Sequence, residues 1–133
     1  MRRTILAAAA LFAAVLAAGH ALAQYAPRHW ITTASTNATL VFSGAAQIGL
    51  VQAINASTTA AFLKLYDTNV APTCGTGTPV LTVPVGASGA PPALIQQMLF
   101  ARGVGFCVTG GLADSDSSAG PANVVINLGL SGR

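Results

Sequence analysis

From residue 30 onward the chain is a succession of short runs in which apolar and polar residues alternate, each closed by Gly, Pro, Asn or Asp. A period of two sends successive side chains to opposite faces, which suits a half-buried strand and not a helix. The runs are 30–34, 38–42, 47–55, 59–66, 79–85, 93–100, 103–109 and 123–130. In the second, Leu40 and Phe42 alternate with Thr39 and Val41. In the third, Ile48, Leu50 and Gln52 share one face, and Val51 and Ala53 the other. In the fourth, Phe62, Lys64 and Tyr66 oppose Ala61, Leu63 and Leu65, and Lys64 marks its own face as the wetter one. Residues 92–100 contain helix formers behind a proline at a permissible first turn. Nine residues gain little as an isolated helix, so this run also reads as a strand. About eight short strands at this spacing imply an all-β fold, a single antiparallel β-sandwich, jelly-roll-like or immunoglobulin-like. The last run, Asn123-Val124-Val125-Ile126-Asn127-Leu128, is apolar and β-branched. At a sheet edge it would pair with a second copy.

The N-terminus has a different character. Arg2 and Arg3 precede an apolar stretch from Ile5 to Leu16, and Ala21-Leu22-Ala23 has the small-x-small form cut by a signal peptidase. The expected organisation is a signal helix at 1–23 and a β-sandwich domain at 24–133. The competing reading is a membrane anchor, but about a dozen apolar residues broken by Gly19 and His20 fall short of the roughly 20 that span a bilayer. Once cleaved, the chain is expected to have no stable membrane insertion and to work in an exported setting: periplasm, extracellular space or cell surface.

Charge is scarce, 7% of residues against an average near 25%. Disorder goes with low hydrophobicity and high net charge. This chain has the reverse and should fold, with a surface built from Ser, Thr, Asn, Gln, Gly and Ala. Beyond the signal, Arg28, Lys64, Arg102 and Arg133 stand against Asp67, Asp114 and Asp116. Four isolated basic residues do not make the cluster that displaces counterions from phosphates, which argues against nucleic acid as a partner. Cys74 and Cys107 both lie in the expected mature chain, and in an exported protein the favoured reading is one disulfide. Its loop of about 33 residues would stabilise the fold by roughly 3–4 kcal/mol in the chain-entropy model. The alternative is two separate thiols, one buried in the strand around Cys107.

Chemistry is sparse. The sequence holds no Glu, and His29 is the sole histidine beyond the signal. No Gly-x-Ser-x-Gly elbow offers it a nucleophile. The expectation is no enzyme, no catalytic residue and no cofactor. Asp114 and Asp116, in Asp114-Ser115-Asp116-Ser117-Ser118, are weak metal candidates: Ca²⁺ takes oxygen ligands but wants six to eight of them. An Asp/Ser turn is the better reading. Glycoside hydrolysis also uses two carboxylates, but residues two apart in a turn seldom oppose each other across a sugar bond. Asn37-Ala38-Thr39 and Asn55-Ala56-Ser57 fit the N-glycosylation pattern. Tyr25 and Trp30 could stack on a sugar ring, which leaves carbohydrate as a candidate ligand.

Residues 59–67 (Thr-Ala-Ala-Phe-Leu-Lys-Leu-Tyr-Asp), Ala71-Pro72-Thr73 and Thr78-Pro79-Val80-Leu81-Thr82-Val83-Pro84 carry a resemblance. It continues in residues 103–111 (Gly-Val-Gly-Phe-Cys-Val-Thr-Gly-Gly), Ala113-Asp114-Ser115-Asp116 and Asn123-Val124-Val125-Ile126-Asn127-Leu128. Over roughly residues 38–130 the chain resembles a small family of phage- and prophage-associated virion proteins. The signal and the two cysteines depart from that pattern and suit an exported relative. The resemblance implies a non-enzymatic structural or surface-interaction protein, with protein partners or self-association. The alternative is an exported bacterial binding protein recognising carbohydrate or a host or envelope surface. If the signal reading fails, the virion becomes the expected location.

Overall fold

The computed structural model describes residues 25–133; the segment 1–23, expected from sequence to be a signal, lies outside them. Eight strands form: β1 (Ala26–Ile31), β2 (Thr39–Ser43), β3 (Ala46–Asn55), β4 (Ala61–Asp67), β5 (Leu81–Val85), β6 (Ala93–Phe100), β7 (Gly103–Thr109) and β8 (Val124–Gly132). They make two four-stranded antiparallel sheets, A in the order β1-β8-β3-β6 and B in the order β2-β7-β4-β5. The pairs β1·β8, β2·β7, β3·β6 and β4·β5 are all present. Such an order arises when one long antiparallel ribbon of strand pairs rolls over on itself, so the sandwich is a jelly roll and not immunoglobulin-like. Among the described residues no helix is long and apolar enough to cross a membrane.

The core lies between the sheets. Sheet A contributes Ile48, Val51, Ala53, Phe100, Val124, Ile126, Leu128 and Leu130, and sheet B contributes Leu63, Leu65, Val83, Val85, Val104, Phe106 and Val108. Trp30 packs edge-on against Phe106, ring centroids 5.4 Å apart, and so stitches the β1 edge to the opposite sheet. Rings prefer this edge-to-face geometry because the positive rim of one meets the negative face of the other.

Four sequence expectations change. β1 begins four residues before residue 30, so that Arg28 to Ile31 pair with Val125 to Leu128. Within β3, a bulge between Ile48 and Leu50 against β8 turns the alternation by one. Ile48 and Val51 therefore both face the core while Leu50 faces out, the extra residue being Gly49. A second bulge between Leu40 and Phe42 lets adjacent Val41 and Phe42 both pack on the core. And β8 pairs with β1 on one side and β3 on the other, so the apolar 123–128 run has no free edge to offer.

The turn from β6 to β7 is held by a side chain from elsewhere. Asp67, at the end of β4, accepts hydrogen bonds from the backbone N–H of Ala101 (3.2 Å), Arg102 (2.7 Å) and Gly103 (3.2 Å). Gly103 is required here: its φ is +153°, and a Cβ would collide with the carbonyl oxygens of Thr68 and Phe42. The Arg102 N–H, with help from its neighbours, holds the Asp67 carboxyl below its ordinary value of 3.8, against a smaller opposing effect of burial. The folded chain thus binds fewer protons here than the unfolded one. Its stabilising share is present above that ordinary value and is lost as pH falls through the lowered one. Asp67→Asn is therefore expected to flatten the loss of stability as pH falls below about 4, measured by denaturant unfolding across a pH series. A slope equal to wild type would contradict this role.

Candidate functional site

The two outer faces of the sandwich differ, and the difference begins with which residues point outward. On sheet B the outward residues at the centre are Lys64 on β4 and its register partner Cys107 on β7. Each anchors a loop. Cys107 is bridged to Cys74, from the β4–β5 connection, with Cα atoms 5.9 Å apart. Lys64 sends its ammonium into the β7–β8 connection, where Nζ donates to the carbonyls of Ala113 (2.5 Å) and Asp116 (3.1 Å). The two loops also meet each other, since a Cβ at Gly75 would lie 2.8 Å from Cβ of Ser117. Lys64 is fully buried as a result, which corrects the expectation that its face is the wetter one. A lysine on an alternating strand signals exposure only when nothing folds over it. The four-carbon stem packs on apolar surface while the charged head reaches carbonyl dipoles.

The carboxylate loop is part of this lid. The Asp116 side chain accepts from the Ser118 N–H (2.8 Å) and hydroxyl (2.6 Å), the turn that its sequence implies. These bonds, led by the Ser118 hydroxyl, and then the Lys64 charge hold the Asp116 carboxyl below its ordinary value. Lys64 thus reaches this loop through two backbone carbonyls, those of Ala113 and Asp116. Tyr66 lies beside it, enclosed, its hydroxyl unpartnered among the described residues. Burial, and then the Asp114 charge, push its pKa up. A groove of about 320 Å³ runs from Tyr66 along Thr68, Pro72, Thr76 and Val80.

Sheet A has no such lid among the described residues. Register ranks its outward residues in rows: Ile31, Val125 and Ile54; then His29, Asn127, Gln52 and Leu94; then Pro27, Gly129, Leu50 and Gln96; then Ser131, Gln47 and Leu99. Strands β3, β6 and β8 contain no charged residue, and Ile31, Leu50, Ile54, Leu94 and Leu99 are all exposed. In the second row, three polar side chains are bonded across three strands. His29 Nδ1 and Asn127 Oδ1 are 2.7 Å apart, and Asn127 Nδ2 donates to Gln52 Oε1 at 3.0 Å. Because the amide oxygen can only accept, Nδ1 of His29 is the donor in this contact, and Nε2 has no hydrogen-bond partner among the described residues.

Beside this row the ring of Tyr25 lies over Gly49, where a Cβ would come within 2.8 Å of it. Tyr25, Pro27, Arg28, His29, Leu50 and Asn127 line most of a groove of about 530 Å³, within the size range of small-ligand sites.

The remaining sequence candidates are placed as follows. His29 is on the outer face of sheet A, while Asp114 and Asp116 lie over the outer face of sheet B, so they do not form one site. Trp30 turns inward and is not free to stack on a sugar; Tyr25 is. Neither sequon asparagine presents a free amide: Asn37 Nδ2 donates to the carbonyls of Thr33 and Ser35. Asn55 is 6% exposed and donates to the carbonyl of Thr59. The His29–Asn127–Gln52 row leaves no signal in the sequence, because it joins residues 98 and 75 positions apart. No protein-family model, curated protein or solved structure matches the chain.

Proposed function

We propose that this chain is a structural or surface-interaction protein that works by laying the outer face of sheet A against a partner, in an exported, oxidising setting. The observation that carries this is the contrast between the two faces. One is lidded by two anchored loops, and the other presents exposed leucines and isoleucines with almost no charge. Several large apolar side chains left exposed on one uncharged face of a folded protein mark an interaction surface. The disulfide suits export, and the jelly roll is a scaffold used by both capsid and lectin domains, which is an analogy of fold and not of site. The sequence resemblance adds virion-associated proteins as the setting of this first reading.

The test is a photo-crosslinking residue placed at Leu50 or Ile54, and for comparison at Val70 or Thr76 on the opposite side, in protein produced in its native host. Adducts at 50 and 54 that are absent at 70 and 76 are expected. Their absence, or an equal yield on both sides, would overturn the reading. One observation favours a second reading, carbohydrate recognition: the Tyr25 ring stands beside a row of amide and imidazole groups, a stacking platform next to hydrogen-bonding partners. Glycan in the adduct, in place of protein, would select it.

A further inference from the structure

Each sheet has two edge strands, and an unpaired edge invites another strand unless something obstructs it. Three of the four are obstructed. β1 carries Pro27 and Arg28, β5 carries Pro84, and β2 is five residues long and broken by its bulge. The fourth, β6, is eight residues (Ala-Leu-Ile-Gln-Gln-Met-Leu-Phe) with neither proline nor charge.

β6 also has an internal symmetry that the fold turns into a physical one. Read outward from the midpoint between Gln96 and Gln97, it pairs Gln with Gln, Ile95 with Met98, Leu94 with Leu99, and Ala93 with Phe100. In a regular strand, residues 94 and 99 would point to opposite faces, and two copies could not match about that midpoint. Gln97 removes the conflict. Its φ of 47°, opposite Gly49, shifts the alternation by one. Ala93, Ile95, Met98 and Phe100 all pack on the core, while Leu94 and Leu99 are 59% and 60% exposed.

We propose that a second copy of this chain pairs antiparallel along β6, about a two-fold axis between Gln96 and Gln97, joining two A sheets into one eight-stranded sheet. Leu94 then lies opposite Leu99 of the partner subunit on the outer face, and Ile95 opposite Met98 of the partner subunit on the inner one. The contact is isologous, and because the other edges are obstructed it closes as a dimer and does not run on as a fibre. The inference rests on the reading that sheet A is the working side, since it doubles the extent of that face.

The test is the mass in solution of the full chain, bridge intact, by light scattering and sedimentation from about 1 μM to 1 mM. A concentration-dependent dimer is expected. Both glutamines are exposed, so Gln96→Lys with Gln97→Lys leaves the monomer folded, checked by its melting temperature. That pair places like charges across the axis and weakens the dimer roughly tenfold or more. Gln96→Glu with Gln97→Glu does the same, and mixing the two variants restores a dimer containing one of each. A wild type that stays monomeric throughout, or a dimer indifferent to these charges, would overturn the pairing. The crosslinking at Ile54 decides the broader reading independently, because the pairing of β3 with β6 ends at Ala53; an adduct of two copies at Leu50, the register neighbour of Gln96, reports the dimer instead.

Discussion

Replacing both Cys74 and Cys107 by Ala is expected to lower the free energy of unfolding by about 3–4 kcal/mol and the melting temperature by roughly 15 °C or more. Two effects act in the same direction. The cross-link closes a loop of 33 residues, and removing it returns that closure entropy to the unfolded chain. The bridge also pins the β4–β5 connection over the outer face of sheet B, where Cys107 is fully buried. Alanine is the appropriate replacement, since serine would bury a hydroxyl at that point. Thermal and denaturant unfolding of the double variant, beside wild type with and without reductant, measures the effect. Hydrogen exchange should localise the loss, with residues 68–80 opening first and the strands of sheet A keeping their protection. A change in stability under 1 kcal/mol would mean that the loop is held by its other contacts, and that the bridge is not the main anchor of the lid.

The strands were legible because their signal is local. Alternation over five to ten residues, closed by turn-forming residues, depends only on neighbours in the chain, and β3 to β8 fall where it places them. The failures are equally specific. A bulge costs one residue of phase and leaves no mark stronger than a glycine, so plain alternation groups Leu50 and Gln52 with Ile48, whereas in the fold Ile48 faces the core and the other two face out. The alternation starts β1 late because Ala26, Pro27 and Arg28 have no apolar pattern of their own, and they are strand because β8 offers them a partner. The bridge could be read from compartment and count alone. Lys64 could not, because its burial depends on a loop some fifty residues later in the chain. The outer row of His29, Asn127 and Gln52 fails for the same reason: each is unremarkable until register sets them side by side.

Lys64 carries the second large effect. It is among the largest fully buried side chains of the described residues, and its role divides into a packing part and a polar part that two substitutions separate. Lys64→Ala removes the stem and the ammonium together. It is expected to cost about 3 kcal/mol, by the reckoning for truncating a long buried side chain with loss of charge-assisted hydrogen bonds. Lys64→Met keeps most of the stem and removes only the donor, leaving the carbonyls of Ala113 and Asp116 to solvent at the exposed rim of the loop. Against their loss stands relief from burying a charge, so a smaller cost of about 1 kcal/mol is expected. The readout that separates anchoring from plain packing is local. In both variants, amide exchange should rise across residues 110–118, and the bond from the Gly110 N–H to the Ser118 carbonyl should open. The Met variant should show this despite its near-normal melting temperature. Unchanged protection of that loop in Lys64→Met would mean that the ammonium is only accommodated there and holds nothing down. The β7–β8 part of the lid would then rest on its backbone bonds, such as the Thr109–Ala119 bridge and the Gly120 N–H to the Ser35 carbonyl.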